Sequence, residues 1–203
     1  MARNLKPKCK QCRRIGESVC GTEKCAVIRR NYPPGQHGNA RRRRLTEYGL
    51  QLREKQKAKI LYGILEKQFR NYYLKSSNKS GNTGDILLNT LEKRFDNVVY
   101  RAGLGSTRRQ ARQLVTHAHF LVNGKPCNVP SRDMKAGDVI ELKESSQKSR
   151  YFLELPANIK MHEAPGWIDV DKEKFILKIV ADPTNADVEQ GIAVNLIVEY
   201  YSR

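Results

Sequence analysis

The 203-residue chain lacks any apolar run long enough to cross a bilayer, which excludes an integral membrane protein. It has no G-x-G-x-x-G, no P-loop and no H-x-E…P-C-x-x-C arrangement. The usual means of cradling a dinucleotide or a triphosphate, or of activating a zinc-bound water, are therefore missing. No internal repeat runs through it, and its opening residues, Met1-Ala-Arg-Asn-Leu-Lys6, contain no apolar core of a signal peptide. Thiols are scarce too: after residue 25 the sequence holds Cys127 alone, expected as a small buried apolar residue. Acidic side chains are thin where basic ones are dense. Residues 1–60 hold 17 Lys/Arg against 4 Asp/Glu, whereas residues 161–203 hold 4 against 8, within a formal charge of +17. A polycation of this density repels itself and favours a polyanion, while the acidic end suits solvent or a basic protein neighbour.

What is present is concentrated at the start. Cys9-Lys-Gln-Cys12 and Cys20-x4-Cys25 form two close pairs able to bring four sulfurs to the corners of one tetrahedron around zinc. A disulfide framework would need an oxidising compartment, which the missing signal peptide argues against, and a redox C-x-x-C would need a βαβ setting that the neighbouring sequence does not supply. The segment also carries Arg13, Arg14, Lys24, Arg29 and Arg30. A metal-stapled loop studded with cations, opening a very basic chain, points to nucleic acid.

Farther on, Asn31-Tyr-Pro-Pro-Gly-Gln-His-Gly38 forbids a helix and predicts an extended turn. Arg41, Arg42, Arg43 and Arg44 then open a predicted helical stretch. Ile60, Leu61, Ile64, Leu65, Phe69 and Tyr72 recur at helical spacing among Lys55, Lys57, Lys59 and Lys67. Residues 76–84 read as a flexible turn. Asp85 is expected to cap a helix burying Ile86, Leu87, Leu88 and Leu91, and a short helix is expected over Asp96–Arg101. Thr107-Arg-Arg-Gln110 reads as a reciprocal capping box. Its helix turns Ala111, Leu114 and Val115 inward and sets Arg108, Arg109 and Arg112 near a positive helix terminus, a phosphate site. His119-Phe-Leu-Val122, Asn123-Gly124 and Lys125 read as a hairpin, Asp138–Leu142 as a strand, and Phe175–Val180 and Leu196–Tyr201 as further strands. Trp167, Tyr72, Tyr73, Tyr200 and Tyr201 are expected to pack.

The residues from Leu91 to Leu142 resemble the S4 RNA-binding module, through Phe95-Asp-Asn-Val-Val-Tyr-Arg101, Thr107-Arg-Arg-Gln-Ala-Arg-Gln-Leu-Val115 and His117-Ala-His-Phe-Leu-Val-Asn-Gly-Lys125. With the cysteine pairs, Tyr32-Pro-Pro-Gly-Gln-His-Gly38 and Glu199-Tyr-Tyr-Ser-Arg203, nearly the whole chain resembles the bacterial-type S4 family of small-subunit ribosomal proteins. Lys172–Val194 departs from the usual family pattern. The resemblance implies a structural constituent of the small subunit that binds 16S-type rRNA early and nucleates the 5′ domain. It also implies a place beside the neighbouring protein S5, with S12 and S3 as further candidates, near where mRNA enters, and a contribution to translational accuracy. It implies one structural Zn2+ on Cys9, Cys12, Cys20 and Cys25, and a cytoplasmic or organellar ribosome as the location.

The expected architecture is α+β. A zinc-binding basic extension spans 1–45, a helical lobe 46–90, an inserted S4 module 91–155, and a segment returning to the helical lobe 156–203. RNA contacts are expected from Arg13, Arg14, Arg29, Arg30, His37, Arg41, Arg42, Arg43, Arg44, Lys55, Lys59, Arg108, Arg109, Arg112, His117, Asn123 and Lys125. They would read the shape of the RNA rather than its sequence. Two other classes compete. An RNA-modifying enzyme carrying the same module needs a catalytic pocket, and four thiolates leave zinc no open position. A zinc-dependent DNA regulator needs a helix directly after Cys25, where Pro33-Pro34 intervenes.

Overall fold

The computed structural model describes residues 4–40, 44–159, 162–184, 187–188 and 191–203. In chain order the elements are α1 (Lys8–Ile15), α2 (Ala26–Arg29), α3 (Glu47–Leu61), α4 (Glu66–Ser77), α5 (Thr83–Glu92), α6 (Phe95–Arg101) and α7 (Arg108–Thr116). Three strands follow, β1 (Phe120–Val122), β2 (Lys125–Pro126) and β3 (Val139–Leu142), and then α8 (Glu144–Gln147) and α9 (Arg150–Ile159). A second strand pair, β4 (Ile168–Asp171) and β5 (Ile176–Ile179), and the terminal α10 (Val194–Ser202) complete the order. The chain divides into two units, Met1–Leu87 with Glu189–Arg203, and Leu88–Val188. The α+β expectation holds. The return to the helical unit comes later than residue 156, because β5 pairs with β3 and keeps residues up to 188 with the module.

In the helical unit, Thr46 starts α3 by accepting the Gly49 N–H on its hydroxyl at 3.2 Å. Arg44 lies before this cap, outside the helix it was expected to open. The apolar stripe from Ile60 to Tyr72 is not one helix. Gly63 takes a left-handed φ of 65° and ends α3, and α4 starts three residues later. The largest difference is at the C-terminus. Leu196–Tyr201, rich in β-branched and aromatic side chains, is helical. Ile197, Tyr200 and Tyr201 fall on one helical face at i, i+3 and i+4, and Ile197 is fully buried. Burial of that face overrides the strand propensity of the individual residues. Tyr201 stacks on Tyr73 with centroids 4.7 Å apart, and the Gln51 amide donates to Glu199 at 2.9 Å.

The second unit is built on a five-stranded antiparallel sheet in the order β2-β1-β3-β5-β4. Val122 pairs with Lys125 across Asn123-Gly124, whose φ angles of 52° and 74° make the mirror-image turn that a two-residue hairpin requires. Alternation sends Phe120, Val122, Ile140, Leu142, Leu177 and Ile179 into one core with Phe95, Val98 and Val99 of α6 and Leu114 and Val115 of α7. Trp167 and Cys127 are buried there, as expected. β4 had no expectation: its Ile-Asp-Val-Asp pattern is short, and pairing with β5 completes it.

Two caps differ from expectation. Asn82, not Asp85, supplies the side-chain oxygen at the start of α5, accepting the Gly84 N–H at 3.0 Å. Asp85 sits inside the first turn. Thr107 accepts the Gln110 N–H at 3.3 Å, but Gln110 returns to the N–H of Ser106 at 3.0 Å rather than to Thr107. The box is closed one residue earlier.

Candidate metal centre and nucleic-acid interface

Cys9 and Cys12 lie one turn apart on α1, a helix rather than the expected loop, so their side chains share a face. Cys25 is buried and immediately precedes α2, so a helix of four residues does follow it before Pro33-Pro34, contrary to expectation, and Cys20 lies on the connecting loop with its thiol 2.9 Å from the Thr22 hydroxyl. The sulfurs of Cys9, Cys20 and Cys25 all lie within 4.8 Å of one another. Cys12, 1% exposed, has its thiol pushed up to about 12, first by burial and then by its hydrogen bond to Cys20. Burial would raise the Cys20 thiol as well, but hydrogen bonds from Thr22, Cys25 and Cys12 outweigh it and bring it down to about 6. Zinc–sulfur bonds of about 2.3 Å set tetrahedral S···S edges of about 3.8 Å, so a contraction of at most about 1 Å closes these three sulfurs on one ion. The cluster can bind a metal.

The Tyr32–Gly38 turn is locked against this centre by Arg13. Its guanidinium donates to the carbonyls of Tyr32 at 2.9 Å and Pro33 at 3.3 Å, and lies 4.7 Å from the Tyr32 ring centroid. Gly38 is buried against the Pro33 carbonyl so closely that a Cβ would stand 2.1 Å from that oxygen. Arg13 is thus occupied in holding the turn. Arg14, Arg29, Arg30, His37 and Arg44 are exposed. Arg41, Arg42 and Arg43 lie outside the described residues.

Lys55 corrects the reading of α3. Expected at the surface, it is 3% exposed, with its ammonium 2.8 Å from Glu66 and 4.5 Å from the Tyr200 ring centroid. Lys59 shares the same carboxylate at 3.0 Å, and the Tyr201 hydroxyl donates to it at 2.9 Å. Burial alone would raise the Glu66 carboxyl. Hydrogen bonds from Lys55, Lys59 and Tyr201 overcome that and hold it at about 2. A depressed carboxyl stabilises the fold above its ordinary value of 4.5, and that contribution is lost as pH falls toward about 2. Acid titration of the full chain will therefore show the α3–α4–α10 cluster losing stability between about pH 4.5 and 2. Glu66→Gln will flatten that part of the curve, and an unchanged curve in the variant would remove Glu66 as its cause.

In the second unit the three arginines of α7 separate. Arg108 donates to the Asn97 side-chain oxygen at 2.9 Å and lies 4.4 Å from the Tyr100 ring centroid. Arg112 donates to Asp96 at 2.9 Å. Arg109 is exposed, on one face with the exposed Gln113 and Thr116 at i, i+4 and i+7. Asp96 and Asn97 are themselves tied into a buried polar network. Arg94, 1% exposed, donates to both Asp96 oxygens at 3.1 and 2.8 Å. Glu92, fully buried, accepts from Asn97 at 2.6 Å and from Arg101 at 3.0 and 2.9 Å. Sequence reasoning passed over Glu92, Arg94 and Asp96. The signal was a dense run of charges of both signs, Glu92-Lys-Arg-Phe-Asp96, spanning the end of α5 and the start of α6.

At the hairpin, Asn123 is spent on structure, donating to Asp138 at 2.8 Å and accepting the Val139 N–H at 2.9 Å. Lys125 is exposed at the tip. His117 is exposed and stacks on His119 with centroids 6.1 Å apart. His119 shares a 2.9 Å hydrogen bond with Ser146, and burial, with His117 beside it, lowers its pKa.

Two family descriptions match consecutive stretches of the chain. Residues 3–92 match the family described as Ribosomal protein S4/S9 N-terminal domain, and residues 93–140 match the S4 domain. The chain is 48% identical to the small ribosomal subunit protein uS4 of Syntrophomonas wolfei, over the whole length of both. It is 49% identical to that of Clostridioides difficile and 50% identical to that of Halothermothrix orenii, again with both chains fully covered.

Proposed function

The chain belongs to the uS4 family of small-ribosomal-subunit proteins, and we propose that it serves that subunit as a non-catalytic structural constituent that binds rRNA. It is a primary binder, holding the 5′ domain of 16S-type rRNA early and so nucleating assembly. The exposed cations carry the reading: Arg14, Arg29, Arg30 and Arg44 on the helical unit, and Arg109 and Lys125 on the sheet-bearing unit. Arginine grips two phosphate oxygens with one planar fork. Arg13, Lys55, Arg108, Arg112 and Asn123 act one step back, shaping the surfaces from which the exposed groups reach the RNA.

One structural Zn2+ is held by Cys9, Cys12, Cys20 and Cys25, and four thiolates leave no coordination position for chemistry. The less basic C-terminal part faces protein neighbours, S5 foremost and then S12 and S3, close to where mRNA enters, and through S5 it contributes to accuracy. The working location is the ribosome, in the cytoplasm. Among the described residues no helix is long and apolar enough to cross a membrane.

The test is affinity for the 5′ domain against an unrelated structured RNA of equal length, over a salt series. Preference for the 5′ domain should persist as salt rises. Each phosphate contact should add about 0.7 to 0.9 to the log–log salt slope. Replacing Arg14, Arg29, Arg30 and Arg44 by Gln together will flatten that slope by about 3. Arg109→Gln will flatten it by about 1. Equal affinity for both RNAs would leave a generic polycation and overturn the reading.

A further inference from the structure

The helical unit contains a cavity of about 860 Å3, bounded by α1, the Tyr32–Gly38 turn and α3. It lies within the range of about 300–1,000 Å3 in which proteins enclose most of a small molecule's surface. Its floor is apolar: Ile15, Leu52, Ile60 and Ile64 line it, and two of these, Ile15 and Ile64, are buried in the unit. Leu45 and Leu65 also line it, large apolar side chains left 46% and 38% exposed. Lys6, Arg14, Arg53 and Lys59 supply its cations, and no acidic residue is among the described lining. Arg53 is fixed by donating to the Ile15 carbonyl, and Lys59 by Glu66. Gln11 and Gln56 add amides, each with donors and an acceptor.

An apolar slot with amides inside and cations around it matches a nucleotide better than a peptide or a lipid chain. A base has flat apolar faces and a hydrogen-bonding edge, and carries its negative charge a few ångströms away on phosphate. An acidic peptide would leave the apolar floor uncovered, and an acyl chain would leave the amides unpaired. We propose that this cavity takes one unstacked nucleotide of the bound rRNA, its base against Leu52, Ile60 and Ile64 and its phosphates on the Arg14 side. The proposal rests on the rRNA-binding reading above. Recognition of RNA commonly targets unpaired bases splayed out of the stack. The cavity thereby adds a contact that depends on local RNA structure to an otherwise electrostatic surface.

Filling the cavity separates this contact from phosphate binding. Leu52→Trp occupies the volume of the base and removes no cation. It should weaken 5′-domain binding about tenfold, with the salt slope lowered by no more than one phosphate contact, about 0.9. In parallel, the wild-type chain is titrated with adenosine and uridine monophosphates and with inorganic phosphate, following the methyl resonances of Leu52, Ile60 and Ile64. Either nucleotide should shift them, and phosphate should not.

Wild-type affinity in a folded Leu52→Trp chain overturns the proposal, while wild-type preference for the 5′ domain keeps the rRNA reading intact. Methyl shifts with mononucleotides but unaltered RNA affinity in the variant would make this a free-nucleotide site and overturn the RNA source. If the variant does not fold, the methyl titration decides, and unmoved resonances overturn the proposal. Loss of 5′-domain preference in the wild type would sink both readings together.

Discussion

Replacing Asp96 by alanine will destabilise the sheet-bearing unit by about 3–5 kcal/mol, the range for a buried ion pair that loses one partner. Asp96 is 5% exposed and neutralises two guanidiniums. Arg94, at 1% exposure, would keep a full charge in the interior without the carboxylate that now pairs with it. The loss would spread, because the backbone around these side chains carries the join between α6 and the loop before β3. The Phe95 and Asp96 N–H groups donate to the carbonyls of Arg132 at 2.9 Å and Pro130 at 3.1 Å. Amide exchange in the full chain reads this unit separately. The amides of β1 and β3 should exchange a hundredfold or more faster in Asp96→Ala, since about 1.4 kcal/mol is a factor of ten. A change below about threefold would show that the pair contributes little.

The double replacement Arg94→Met with Asp96→Leu sharpens the point. Removing both charges for apolar groups of similar size is often neutral or stabilising, so most of the lost protection should return. RNA affinity should not return with it. Arg112 would still lack the carboxylate that aims it, and the surface of α7 beside Arg109 would be less ordered. Stability restored without RNA affinity would identify the network as a device for positioning cations rather than for holding the fold.

Much of this fold can be read from local sequence. The Asn123-Gly124 hairpin, the inward set Ala111, Leu114 and Val115, and the strand ending at Leu142 all rest on short-range rules of turn chemistry and period. The errors arise where tertiary contact decides. Leu196–Tyr201 has strand composition, and its helix exists because Ile197, Tyr200 and Tyr201 find Phe69 and Tyr73 and the buried part of α3. Lys55 looks like any surface lysine until Glu66, eleven residues on, and the C-terminal tyrosines close around it. The same holds for the proposed interface. Charge density located the basic surfaces, but Arg13, Arg108 and Arg112 each found a partner inside their own unit. A cation count is a statement about a region, and which guanidiniums face outward is settled by carbonyls and carboxylates that sequence spacing does not reveal.

Removing the proposed zinc will have its largest effect on the N-terminal segment. α1 is eight residues long, has no side-chain cap at its start and no acidic residue in its first turn. A helix that short is not stable alone in water. Among the described residues the segment buries Ile15, Cys12 and Cys25, and its ties to α3 include Arg53 on the Ile15 carbonyl and Lys57 on Glu17. Binding of zinc to a four-thiolate site is worth about 10–16 kcal/mol in small metal-folded peptides near neutral pH, far more than these contacts can replace. Cys9→Ser with Cys12→Ser should therefore lose one equivalent of bound metal and all amide protection between residues 8 and 30. The α3–α10 pairing and the β-sheet should stay protected. Affinity for the 5′ domain should fall, because Arg14, Arg29 and Arg30 would hang on a disordered chain that must be ordered again at each binding event. Cys127→Ser is the control, since that thiol is buried in the other unit and should leave the metal content unchanged. Metal content undiminished in the double variant would refute the ligand set, and loss of metal with protection intact would show that the segment folds on its own contacts.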